Sequence, residues 1–336
     1  MDTSLVKFKN KLEKLPDCNN DEFYRMADYI EMKAIANADG FYAKGDFTNE
    51  KPKRASDLGE GDIEENQKIG KQTNSKKNDK WEKFADDIYR NLENRVKEYK
   101  EFYPFTLTGN KLGIQFNGVN TIDQHYYVLL LYCSNLAYTG YTNILTSSFE
   151  RVCEKALKKL LPEGSDVRLF GSSNVEDGLE SDEWKTTKLW DKLVWLSSFL
   201  HSKLSAQESE INIYNKGDRG LDIVGKTTFN DNLSHFPIYF GQCACSPDQW
   251  KPKQMSISPD VWNSLLSLNN YPTRMMFIPQ SFRNANGEWQ DRHSITQSVL
   301  IDRYRILKYM KDDEFFKELS SYEVVNTLLS YKESSF

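Results

Sequence analysis

Two short runs in the second half of the chain constrain its fold more than any other feature. They are Gly217-Asp218-Arg219-Gly220-Leu221-Asp222-Ile223-Val224 and Pro237-Ile238-Tyr239-Phe240-Gly241-Gln242-Cys243-Ala244. Side chains of an extended chain alternate between faces, so the first run sets Leu221 and Ile223 on one face and Asp222 on the other. The second run places Ile238, Phe240, Gln242 and Ala244 together. The polar stretch 227–234 between them suits an antiparallel pair. Paired so, a carboxylate and an amide oxygen meet at one point, which is donor chemistry for a hard divalent cation such as magnesium.

The rest of the chain supplies helices and further strands around this pair. Residues 1–48 read as a helical module. Leu5, Phe8, Leu12 and Leu15 recur at helical spacing until Pro16, and Asp21 is placed to cap a second helix carrying Phe23, Met26, Ala27, Ile30 and Ala34. Residues 49–80 hold too few apolar side chains to offset the entropy of ordering them and read as a polar linker or loop. Residues 81–145 carry an amphipathic helix through Trp81, Phe84, Ala85, Ile88, Leu92 and Val96. A hairpin around Thr108-Gly109-Asn110 and an aromatic-rich helix over 123–138 follow.

Residues 146–310 form the expected core. Ser147 or Ser148 is placed to cap a helix bearing Glu150. A strand Val167-Arg168-Leu169-Phe170 ends at Gly171, and a helix spans 182–204. Beyond the two runs come a helix over 259–268 and strands Met275-Met276-Phe277-Ile278 and Ser298-Val299-Leu300-Ile301. Residues 311–336 close with a helix. Helices alternating with strands predict an α/β fold: a mixed central sheet flanked by helices, with a mainly helical N-terminal region.

Composition bounds the function. Of 336 residues, 28% are charged, and no apolar run approaches the length of a membrane span, so a soluble, non-membrane protein is expected. Five irregularly spaced cysteines fit a reducing cytoplasm better than a disulfide framework. Cys243-Ala244-Cys245 lacks the second paired motif of a zinc site and reads as buried small hydrophobes. A Cys245–His235 hydrolase pair has no supporting spacing, and no Walker-type glycine loop is present. The net charge of −5 runs against non-specific grip on nucleic acid, so any such binding needs a local basic patch. Arg274, Arg283, Arg303 and Arg305 are candidates for phosphate contacts, with salt-bridged structural roles as the alternative.

An acid in a hydrophobic strand, then a hydrophobic strand ending in Gln-x-(position of a Lys), preceded by a helix that opens Phe149-Glu150-Arg151-Val152-Cys153-Glu154, resembles the PD-(D/E)XK nuclease superfamily. The Mrr-like restriction endonucleases, with Gln in the second motif, are most similar. The resemblance spans roughly 147–306. It implies a restriction-endonuclease-like core and a Mg2+ (or Mn2+) ion held by Asp222, Gln242 and Glu150. It further implies phosphodiester hydrolysis in double-stranded DNA, in restriction or anti-phage defence. A homodimer, or a partner such as an ATPase, helicase or sensor, would complete the system.

The family's lysine falls at Ala244. Its work, orienting water and stabilising charge on the phosphate, passes on this reading to Lys253, with Lys251 and Lys226 as alternatives. The second reading is a nuclease fold that has lost its chemistry and binds nucleic acid or protein without cutting.

Overall fold

The computed structural model describes residues 3–16, 22–50, 72–109, 112–171, 188–212 and 217–332. They form two compact units, and the chain visits the first three times. That unit comprises Met1–Tyr141, Gln280–Gln290 and Glu323–Phe336, and the second comprises Thr142–Pro279 and Asp291–Tyr322. Segment 280–290, read from sequence as part of the core, thus groups with the N-terminal region.

The first unit contains helices α1 (Thr3–Leu12), α2 (Phe23–Ala36), α3 (Lys44–Asn49), α4 (Gln72–Tyr99), α5 (Ile122–Ser134) and α6 (Leu136–Thr139). Strands β1 (Phe41–Ala43), β2 (Phe105–Thr108) and β3 (Gly113–Phe116) make an antiparallel sheet in the order β1-β3-β2. The expected hairpin is therefore present, although Asn110 of its turn lies outside the described residues, as do Asp21 and residues 51–71 of the expected linker. Helix α4 begins at Gln72 rather than at the first apolar residue, Trp81.

Helix α2 is buried on almost every side, and two of its buried residues are acids. Arg95 of α4 answers them. Its Nη1 donates to Asp28 Oδ1 and Glu31 Oε1, each at 2.7 Å, and Nη2 donates to the Tyr24 carbonyl. Tyr103 and Tyr127 add hydroxyl donors to Glu31, and Ser134 adds one to Asp28. Burial disfavours the guanidinium charge, but Glu31 and Asp28 more than compensate and hold it firmly protonated.

The second unit is built on a mixed sheet. Its strands are β4 (Asp166–Leu169), β6 (Ile223–Lys226), β7 (Ile238–Cys243), β9 (Thr273–Phe277) and β10 (Val299–Ile301); β5 (Lys203–Leu204) and β8 (Leu266–Ser267) form a separate ribbon. The order is β10-β9-β7-β6-β4; β6 runs antiparallel to both of its neighbours, β4 and β7, while β7, β9 and β10 are parallel. The helices are α7 (Thr142–Leu160), α8 (Leu189–Phe199), α9 (Trp250–Lys253), α10 (Pro259–Asn263) and α11 (Arg303–Met310). Helix α7 packs on β4, β6 and β7 and carries α11 on its side. Helix α8 sends Leu189, Leu193 and Leu196 into a core with Val224, Phe240 and Trp262. The unit is thus a mixed α/β layer with helices flanking its sheet.

Several boundaries differ from the sequence reading, each for a local reason. Helix α7 starts at Thr142, so Ser147 and Ser148 lie inside it and cap nothing. The chain from Gly217 is not a strand until Ile223, because the Asp218 carboxylate accepts from Gly220 N at 2.7 Å and turns it through left-handed Arg219 and Gly220. Asp302 follows β10 as the cap of α11, its Oδ1 accepting from Arg305 N. Arg303 is fully buried and donates to the Pro279 carbonyl, while Arg274 donates to Gln297. The C-terminal stretch divides into a 3-10 turn at Glu314–Glu318 and helix α12 (Ser321–Ser330).

Replacing Arg95 alone strands two buried carboxylates. Arg95→Leu is expected to lose roughly 3–5 kcal/mol in urea unfolding. An unchanged midpoint would mean the surrounding hydroxyls suffice.

Candidate functional site

Asp222 stands immediately before β6 and ties three strands together. Its N–H donates to the Gly241 carbonyl at 2.9 Å, and its own carbonyl accepts from Phe170 N at 2.6 Å and Gly171 N at 3.2 Å. The side chain is equally committed. Oδ2 accepts from Gln242 Nε2 at 2.5 Å and from Cys243 N at 2.6 Å. The expected antiparallel pairing, with Ile223 opposite Gly241 and Val224 opposite Phe240, sets Asp222 and Gln242 side by side. Leu221 and Ile223 are buried as read, and Asp222 is buried too, at 5% exposure.

The carboxylate and the amide therefore meet, but through the amide nitrogen. Gln242 Oε1 accepts from the Ser256 hydroxyl at 3.1 Å. Gly220 makes room for that arrangement. A Cβ there would stand 2.6 Å from Gln242 Oε1 and 2.5 Å from Ser256 Oγ, at a φ of +79°.

The free oxygen of Asp222 looks toward Gly171, just past β4. A Cβ at Gly171 would lie 3.4 Å from Glu150 Oε2, 3.5 Å from Asp222 Oδ1 and 3.6 Å from Asp218 Oδ2. Glu150 comes from α7, Asp222 from the start of β6, and Asp218 from the turn before it. Glu150 Oε2 is sealed from solvent and meets no hydrogen-bond donor among the described residues. The missing side chain of Gly171 thus leaves a small space faced by three carboxylate oxygens.

Two amines act on this space. Lys253, at the end of α9, and Lys192, from α8, each favour ionisation of both Glu150 and Asp222. Lys192 is almost wholly buried and donates to the Phe170 carbonyl at 3.1 Å. Burial lowers its pKa, and Asp218, Asp222 and Glu150 work against that shift. The other candidate lysines lie elsewhere. Lys226, at the opposite end of β6, donates to the Phe199 carbonyl and covers the Phe199 ring. Lys251 helps keep Asp291 ionised.

The acids feel their confinement. Burial first, then the neighbouring Asp218 charge, pushes Asp222 up to about 7, against the pull of the Cys243 amide, Lys253 and Lys192. Burial, then Asp222 and Asp218, lifts Glu150 well above the usual carboxylate range.

Hard oxygen donors, a space a methyl group would fill and an unsatisfied buried oxygen all suit Mg2+ or Mn2+. No group of three or more His, Cys, Asp or Glu side chains among the described residues already stands in metal-holding geometry. Magnesium takes oxygens at about 2.1 Å, so the carboxylates would have to close in by more than about 1 Å on binding. Elsewhere Cys243, its thiol pushed up by burial, hydrogen-bonds Cys153 beneath the sheet's end, and His235 Nδ1 pairs with Ser234.

Sequence reasoning passed over Asp218 and Lys192. The first had a signal, since Asp-x-Gly is a turn that fixes its own carboxylate. Lys192 had none, lying between the apolar positions of an ordinary amphipathic helix. Comparison with protein-family models, with curated proteins and with solved structures gives no match to this chain. No described helix is long and apolar enough to cross a membrane.

Native Asp222 keeps a proton between 3.8 and about 7 that the unfolded chain has released. Its contribution to folding is therefore complete below that window and is lost as pH rises through it. Urea midpoints across the window should fall less steeply for Asp222→Asn than for the unaltered protein. Gly220→Ala should lower the unfolding free energy by about 1–2 kcal/mol from left-handed backbone strain alone, and more if Gln242 cannot move aside.

Proposed function

We propose that the protein is a metal-dependent nuclease that hydrolyses phosphodiester bonds of DNA on a restriction-endonuclease-like core, in restriction or anti-phage defence. The observation that carries this reading is the meeting of Asp222, Gln242 and Glu150 at one end of a mixed sheet, with Lys253 favouring ionisation of the two acids. Asp222, Gln242 and Glu150 are the residues on which the resemblance to PD-(D/E)XK nucleases rests, and Lys253 is the proposed substitute for the lysine absent at Ala244.

On this reading Asp222 and Glu150 hold the cation, and Gln242 braces Asp222 so that one oxygen stays turned outward. The ion, when bound, supplies positive charge to the scissile phosphate and acidifies its water. Ala244 offers no amine, so Lys253, which is exposed, or Lys192, which is buried, provides the ammonium that steadies charge on the phosphate. Double-stranded DNA is the proposed substrate, and with a net charge of −5 its capture depends on a local patch, a second copy or a loading partner.

A second reading has its own support. Ala244 in place of the lysine, together with an Asp222 that takes up a proton near neutral pH, suits a protein that binds nucleic acid or another protein without cutting. Plasmid incubated with Mg2+ separates the two. The unaltered protein should nick or cut it, Asp222→Ala should not, and Lys253→Ala should be slower by about 10²–10⁴-fold. Equal cutting by the unaltered protein and Asp222→Ala would overturn the nuclease reading, and retention of DNA without cutting would favour the second.

A further inference from the structure

We infer that Asp218 is the third carboxylate of a divalent-cation site seated over Gly171, completing a Glu150–Asp218–Asp222 set in which Gln242 is a positioning residue rather than a ligand. The inference rests on the reading of this place as a cation site and goes further, by naming a ligand outside the resemblance and a role for the glycine beneath it.

Each of the three acids has one oxygen facing the same point. For Asp222 that oxygen is Oδ1, because Oδ2 is occupied by Gln242 Nε2 and Cys243 N. Asp218 is built the same way. Its Oδ1 is spent on Gly220 N, and Oδ2 is the atom turned to Gly171. Glu150 brings the independent sign of a missing partner, since Oε2 is both the atom nearest that point and a buried oxygen with no donor. A buried carboxylate oxygen left bare is costly, and a cation is the partner that satisfies it and both neighbours at once.

The backbone around Asp218 has the marks of a position held for a purpose. Arg219 and Gly220 are left-handed in succession, at φ of +53° and +79°. That conformation is strained for Arg219, and it delivers the Asp218 carboxylate to the Gly171 space. Gln242 cannot fill the same role as it stands. Its oxygen is held by Ser256, and turning the amide to offer oxygen would set that oxygen against Asp222 Oδ2. The amide is worth more as the donor that fixes which oxygen of Asp222 is free.

The test is calorimetric titration of the full chain with Mn2+, with no nucleic acid present. Asp218→Asn keeps the oxygen that accepts from Gly220 N and removes only the charge, and Gly171→Ala places a methyl in the space at ordinary contact distances. Both should keep the thermal unfolding transition of the parent and weaken Mn2+ binding by more than about tenfold, and Gln242→Ala should weaken it less than Asp218→Asn. Unchanged affinity in Asp218→Asn, or no Mn2+ bound by the parent at millimolar concentration, would overturn the inference. Mn2+ binding by the parent that fails in Asp218→Asn upholds the inference whether or not the parent cuts plasmid, so the nuclease reading stands or falls separately.

Discussion

The second unit is organised by the hydrogen bonds of one residue, Asp222. Its N–H and carbonyl join the strand beginning at Ile223 to the ends of β7 and β4, and its carboxylate accepts from the next two residues of β7. Backbone and side chain are thus fixed by the same neighbours. A carboxylate held in this way cannot swing away to water, and the space over Gly171 keeps its outline because of it. Asp222 is structural and chemically poised for one reason: the strand ends that bury it also aim it.

That arrangement sets an electrostatic problem which the fold only partly solves. Three acids converge where solvent is scarce, and two amines answer them, one of which is itself disfavoured by burial. Protons make up the shortfall when nothing else does, which is why Asp222 and Glu150 hold theirs so far above the ordinary range. Arg95 in the first unit shows the contrasting solution. There two acids share one guanidinium and three hydroxyl donors, from Tyr103, Tyr127 and Ser134. A closed network and an open one can thus be told apart by counting donors against oxygens.

How far this could be read from the residues depended on whether a signal was local. Period-two alternation placed Ile223, Phe240 and Gln242 well, since strand pairing obeys it, and Glu150 was singled out through the resemblance of its Phe149-Glu150 helix to the nuclease pattern. Lys253 was named because it is among the lysines nearest to Ala244, where the family's lysine falls. The turn at Asp218 was misread as strand, because hydrophobic alternation at Leu221 and Ile223 continues smoothly through it, while the Asp218–Gly220 bond that bends the chain leaves no periodic trace. The start of α7 at Thr142 was missed because two serines inside it look like caps. Lys192 and Gly171 were out of reach, as their importance arises only from what distant segments bring beside them.

The first unit has a consequence for how the molecule is made. Phe8 of α1 meets Tyr331 edge to face, with ring centres 5.5 Å apart, and Lys332 donates to the Ile35 carbonyl. At ordinary translation rates, roughly 15–60 s separate the emergence of those partners from a ribosome. The strands of the second unit are all in hand before Tyr331 appears, so α1, although made before them, completes its packing after them. Until then Phe8 lacks its last neighbour, a vulnerable interval in which chaperones or proteases would find this chain.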